Sequence, residues 1–238
     1  MKTFDEHRKY VESIAGQMRA IAQDPTSKRI NFTHGSTNST RTEENKDFAF
    51  VDISDFNDVL EVNTAENYVL VEPNVSLDKL LRITLEHNLI PQVIAEFPGI
   101  TVGGAVNGAS LESSSFKYGQ FNDTAEEYEI VLANGDILKA SRNENSDLFY
   151  GISGSYGTLG LLTLITLRLS PAKKFVQLTY QPTSSHQECL DLLRERCNDS
   201  TVQYAEAILF DASRGVVISG ALVNEGNIPV RTYAYARD

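Results

Sequence analysis

The chain has 238 residues, 41% hydrophobic and 22% charged, with a net charge of −11 at pH 7. That make-up is ordinary for a globular protein with room for one large domain or two smaller ones. The acidic balance argues against nucleic acid as a partner, since phosphate backbones attract Lys/Arg surfaces, but it leaves room for a local positive pocket. Only Cys189 and Cys197 are present and they form no CxxC pair, which argues against a disulfide framework or a structural zinc site and fits a reducing compartment.

Met1–Gln23 has no apolar h-region and no run approaches the roughly 20 apolar residues of a membrane span. Neither a signal peptide nor a transmembrane segment is expected, and the chain is placed in the cytoplasm, with peripheral contact to an intracellular membrane left open. Tyr10, Val11, Ile14, Met18 and Ile21 fall at helical spacing and predict a docking helix over Phe4–Ala22, closed by Asp24-Pro25. Strands are expected at Arg29–Phe32, Phe48–Ile53, Asp58–Val62 and Tyr68–Pro73. Ser76 can cap a helix over Leu77–Asn88. A strand at Tyr128–Leu132 meets Asn134-Gly135, a two-residue hairpin signal, and then a strand over Asp136–Ala140. Asn145 or Ser146 opens a short helix, and Leu161–Leu169 reads as a buried strand ending before Pro171. Beyond it, Phe175–Tyr180, Ser184–Cys197, Gln203–Phe210 and Val216–Leu222 read strand, helix, strand, strand, the opening of a second α+β domain.

Three glycine- and hydroxyl-rich loops follow strands in the first part: Gly35–Thr40, Gly99–Gly108 and Gly154–Gly160. A glycine turn entering a helix presents amides suited to phosphate oxygens. For Gly99–Gly108 alone, a phosphate cradle and a tight strand–helix crossing that needs small residues stand level. Converging loops of this kind suit a ligand with a pyrophosphate and a flat ring. No GxGxxG follows the first strand and no Walker A sequence occurs, which removes the Rossmann and P-loop readings.

Five segments occur in order: Pro98–Gly104 (PGITVGG), Glu112–Gly119 (ESSSFKYG), Glu144–Tyr150 (ENSDLFY), Gly157–Gly160 (GTLG) and Ser170–Val176 (SPAKKFV). Together they resemble the FAD-binding domain of the vanillyl-alcohol oxidase (PCMH-type) flavoproteins, and within it the Δ24-sterol reductase group, over roughly Arg29–Tyr180. The resemblance implies an α+β fold: a helix over residues 1–28, a PCMH-type FAD-binding domain of two small α/β subdomains over 29–172, and a partial cap over 173–238. It implies FAD, with Gly35, Ser36, Thr37, Asn38 and Ser39 cradling the pyrophosphate. Thr101, Val102, Gly103 and Gly104, with Gly108 and Ser110, would run along the pyrophosphate and flavin, and Gly160, Leu161 and Leu162 would meet the cofactor from an edge strand. Asn38 stands where some members carry a flavin-linking histidine, so FAD is expected to be non-covalent.

Lys117 could serve the flavin edge or be a solvated lysine; His34 could face a phosphate or be a loop residue. Glu112 and Tyr118 are candidates for lining the ring, Asp147 reads as a helix-start residue, and no catalytic acid or base stands out. The resemblance further implies reduction of a C=C bond in a sterol or other hydrophobic substrate, with NADPH or NADH as donor. Family members run much longer and carry an N-terminal anchor, so this chain is expected to be a fragment or to lack its lid. Two alternatives remain: an FAD-dependent oxidase or dehydrogenase of an alcohol, sugar or lactone, and a non-catalytic flavin-binding remnant.

Overall fold

Helix α1 (Phe4–Gln23) starts on a reciprocal capping box, with Thr3 Oγ1 accepting from the Glu6 amide at 3.2 Å and the Glu6 carboxylate from the Thr3 amide at 2.8 Å. Its apolar stripe (Val11, Ile14, Ala15, Met18) is buried against Val51, Ile53 and Phe56. Strands β1 (Arg29–Thr33) and β2 (Phe48–Asp52) pair in parallel beside it. The computed structural model describes residues 2–24, 26, 29–34 and 48–225. The chain divides into two units, Met1–Pro171 and Ala172–Asp238. None of the helices among the described residues is long and apolar enough to cross a membrane.

The larger sheet of the first unit is antiparallel. It contains β3 (Val59–Asn63), β4 (Tyr68–Val71), β5 (Leu89–Pro91), β6 (Ala125–Val131), β7 (Ile137–Ser141) and β8 (Leu161–Pro171). The order is β3–β4–β8–β6–β7, with β5 beside the end of β8. Three helices, α2 (Leu77–Glu86), α3 (Val102–Asn107) and α5 (Ser146–Ile152), join the sheet in one apolar core. In the second unit β9 (Phe175–Thr183), β10 (Tyr204–Asp211) and β11 (Arg214–Val223) form an antiparallel sheet in the order β10–β11–β9, with α6 (His186–Asn198) between β9 and β10 in sequence.

Several expectations are corrected in detail. Strand β8 runs through Pro171, because β5 pairs with its end. Helix α2 stops at Glu86, and Asn88 takes a left-handed φ of 57° just beyond it. The hairpin at Asn134-Gly135 has three loop residues rather than two: the Leu132 amide reaches Asp136 O at 2.8 Å, and Gly135 alone takes the left-handed φ of 82°. Asn145 precedes α5 but does not cap it; its side chain donates to Lys139 O at 2.7 Å.

One charged cluster ties α1 to the sheet. His7 is buried, with Nδ1 2.7 Å from Glu72 Oε1 and Nε2 3.2 Å from Glu129 Oε1. Two facing acceptors require two N–H donors, so the ring is an imidazolium. Glu72 has no exposed surface; it also accepts from Lys2 Nζ at 3.0 Å and from the Asp58 amide at 2.8 Å. Two cations and two carboxylates leave the cluster neutral, which is what burial of charge demands. Burial pushes the His7 pKa down, but the hydrogen bonds it donates to Glu129 and Glu72 outweigh it and hold the ring at about 9. Burial raises the Glu129 pKa, and its bonds to His7 and Thr163 override that to leave the carboxyl below its ordinary value.

Helix α3 is seated by close backbone approach. A Cβ on Gly103 would stand 2.7 Å from Pro73 Cβ. At its far end the Ala109 amide reaches Val106 O at 3.2 Å and the Ser110 amide reaches Ala105 O at 3.1 Å, a Schellman closure. Ala109 holds the left-handed position of that closure, at φ 51°, where glycine is the usual occupant.

Three outcomes are expected. The His7 contribution to stability is complete below the free imidazole pKa of about 6.5 and is lost as pH rises through the folded value near 9, because the folded state then holds a proton the unfolded state has released. The melting temperature should therefore fall across that window in the parent and less so in His7→Gln. Gly103→Ala should lower stability by about 1–3 kcal/mol through overpacking against Pro73. Ala109→Gly should raise it by about 1 kcal/mol through relief of left-handed strain. Urea titrations at neutral pH read both; a stable Gly103→Ala protein would overturn the packing argument.

Candidate functional site

The segment leading into α3 is fixed on both sides. The Leu77 and Asp78 amides at the start of α2 donate to Ile100 O at 2.8 Å and Pro98 O at 3.1 Å. In return the Val102 and Gly103 amides reach Val75 O at 2.9 Å and Pro73 O at 2.8 Å, and the Gly104 amide reaches Thr101 Oγ1 at 3.1 Å. The opening amides of α3 are thus already satisfied, contrary to the expectation that a glycine turn here presents unpaired donors. Of the two readings that stood level, Gly103 serves the crossing. What remains open is the backbone further along, at the exposed residues Gly104 and Gly108.

The bend after α3 carries Ser110, half-buried, whose carbonyl accepts from the Phe121 amide at 2.9 Å. The Leu111 and Ser113 amides next to it donate to no acceptor among the described residues. Glu112 is held by its neighbours: its amide donates to Ser115 Oγ at 2.9 Å and its carboxylate accepts from the Glu96 amide at 3.0 Å. Helix α4 (Ser115–Tyr118) carries Lys117, exposed, with Nζ 5.8 Å from the Tyr118 ring centre. Tyr118 is half-buried and packs against the core.

The third glycine loop is brought to the second by Asn107. Its Oδ1 accepts from Ser155 Oγ at 3.2 Å and from the Gly157 amide at 3.1 Å, while its Nδ2 donates to Gly103 O at 2.9 Å. A Cβ at Gly154 or Gly157 would meet no atom within 4 Å, so the turn backbone is open to an approaching group. Gly160 differs, since a Cβ there would lie 2.6 Å from Ile130 Cγ2. Leu161 and Leu162 bury their side chains at the start of β8, leaving only backbone to meet a ligand.

The expected pyrophosphate loop, Gly35 to Ser39 with Asn38, lies outside the described residues. His34 follows β1 directly and is half-buried. Asp147 lies in the first turn of α5. Two residues went unrecognised in the sequence: Asn107, which joins the two described loops, and His7, which fixes α1.

The exposed glycine faces of the second and third loops, with the Leu111 and Ser113 amides on the bend after α3, fit a flat, anionic nucleotide met by neutral backbone groups. The apolar residues Tyr156 and Leu159 stand exposed on the third loop, Leu111 on the bend after α3 and Phe116 on α4.

Comparison with known proteins gives the same cofactor. The model of the FAD binding domain family matches residues 13–141, more than half of the chain. Delta(24)-sterol reductase of Pisum sativum is 39% identical over 181 residues, covering 71% of this chain and 32% of that protein. The protein of that name from Arabidopsis thaliana is 38% identical, covering 74% and 33%, and the one from Homo sapiens is 34% identical, covering 71% and 33%. The chain spans about a third of the length of these relatives. On the extent of that match, the chain belongs to the FAD binding domain family.

Proposed function

We propose that this chain supplies the FAD-holding part of a flavin-dependent reductase that saturates a C=C bond in a sterol side chain, with NADPH or NADH as electron donor. The observation that carries the reading is the meeting of the second and third glycine loops at Asn107, in a chain of an FAD-binding family that is 34–39% identical to proteins named for sterol reduction.

Each residue has a part in this reading. The backbone of Gly35–Ser39 and the side chains of Ser36, Thr37 and Ser39 take the pyrophosphate. Gly104, Gly108 and Ser110 give the dinucleotide a surface without side-chain bulk, while Thr101, Val102 and Gly103 fix that surface against Pro73–Val75. Gly160, Leu161 and Leu162 close the far edge with main chain. Lys117 is the one cation among the proposed site residues and suits an electron-rich reduced ring. Hydride transfer is the chemistry the cofactor supplies when bound; the protein's share is orientation and electrostatics. Asn38, unable to form the histidyl link, leaves FAD non-covalent.

The apolar exposure of Leu111, Phe116 and Leu159 supports a hydrophobic substrate arriving at these loops. A sterol substrate in turn favours a cytoplasmic protein working against an intracellular membrane surface.

The test is direct. The purified chain, reconstituted with FAD and freed of excess, should be yellow, and acid precipitation should release the colour into the supernatant. Colour retained in the pellet would overturn the non-covalent reading, and failure to retain any flavin would overturn the cofactor site. Adding NADPH without oxygen should bleach the visible band; an alcohol substrate bleaching it instead would favour an oxidase.

A further inference from the structure

We infer that Asn107 is a positioning residue for the flavin nucleotide: its carboxamide locks the Gly154–Gly157 turn onto α3 and so sets the spacing between the two open backbone faces that receive the cofactor. The inference rests on the function proposed above, and it concerns a residue that touches the turn rather than the reacting atoms.

The turn needs an external tie. Three of its four residues hold left-handed backbone, Gly154 at φ 71°, Tyr156 at 52° and Gly157 at 78°, and a tyrosine rarely adopts that conformation unaided. Its internal bonds, Ser155 amide to Ile152 O at 3.1 Å, Thr158 amide to Ser155 O at 3.1 Å and Gly157 amide to Ser155 Oγ at 3.3 Å, stay within the turn and its own flanks. Asn107 joins it to a separate helix, from 48 and 50 residues away in sequence.

The chemistry of the side chain matters at both ends. Oδ1 serves two donors, and Nδ2 must at the same time donate to Gly103 O. Leucine has the size and none of the bonds. Aspartate keeps the acceptor but puts its second oxygen against a carbonyl. On the helix side, the bond to Gly103 O fixes Asn107 to the residue that packs on Pro73. The turn is therefore registered, through this amide, to the close contact of α3 with Pro73.

Four proteins test this: the parent, Asn107→Leu, Asn107→Asp and Ser155→Ala. In the protein without cofactor, amide exchange at Gly157 should quicken in Asn107→Leu, with the core strands unchanged. FAD titrated by fluorescence quenching should bind Asn107→Leu about ten-fold more weakly, the size expected when a part-buried amide loses its acceptor. Asn107→Asp should fall between, and its bound flavin should differ from the parent's in visible band shape, since a charge now sits beside the turn. Ser155→Ala should weaken binding less, and combining it with Asn107→Leu should add less than its separate effect, because the Asn107–Ser155 contact is then already gone and only the 3.3 Å bond from the Gly157 amide to Ser155 Oγ is lost in addition.

If the parent binds FAD and Asn107→Leu binds it within two-fold, with or without a lower melting temperature, this inference fails alone. Should Asn107→Leu not fold, equal binding and equal Gly157 exchange in Ser155→Ala and Asn107→Asp would overturn it on their own. A parent that takes up no FAD overturns the proposed function and this inference with it.

Discussion

The first unit depends on how closely α3 can approach the chain between β4 and α2. Gly103 has no side chain to spare, and Pro73 fills the place where one would be. Four main-chain bonds then knit Pro98–Gly103 into Pro73–Asp78, two in each direction. A loop this thoroughly bonded has little freedom to reorganise for a ligand, so the surface it offers exists before the ligand arrives. Preorganisation of that kind lets binding energy go into affinity rather than ordering. It also relocates the donors, because those at the helix start are spent on the fold while the bend after α3 keeps the amides of Leu111 and Ser113.

The two faces of the sheet are held by different physics. On one, α2, α3 and α5 bury an apolar core with Val71, Tyr128, Ile130 and Ile165, where the driving force scales with area removed from water. On the other, α1 adds to its own apolar cluster, which takes in Val131 and Leu161, a set of directional, charged contacts at its N-terminal end whose net charge is zero. Apolar burial tolerates small slips of register; a histidine between two carboxylates does not. The mixed design gives α1 one permitted position along its axis.

Much of this architecture could be read in the residues. Period-3.6 and period-2 patterns placed most helices and strands within a few residues, because amphipathic burial is a local signal. The glycine loops announced themselves by composition, and their order carried the family. Composition could not say which amides would be spent. Gly103 and Gly104 look alike in sequence, yet one meets a proline and the other stays exposed, and only tertiary contacts separate them. Asn107 sits mid-motif without any local distinction, its partners some fifty residues on. His7 appeared as one polar residue on a docking helix, and its two carboxylates lie 65 and 122 positions away. Short-range patterns carry no trace of such pairings. The hairpin at Gly135 shows the same limit in miniature: the sequence marked the turn, but the loop length followed from which residue went left-handed.

The buried cluster also bears on where this fold begins. The family match opens at residue 13, downstream of both Lys2 and His7. A version cut to that boundary would keep Glu72 and Glu129 while deleting both of their cationic counterparts, leaving Glu72 with only the Asp58 amide as a hydrogen-bond donor. Two excess negative charges under a half-removed helix would turn a neutral joint into a repulsive one. The folding unit therefore reaches back to the very first turn of α1, nine residues ahead of the homologous domain's edge.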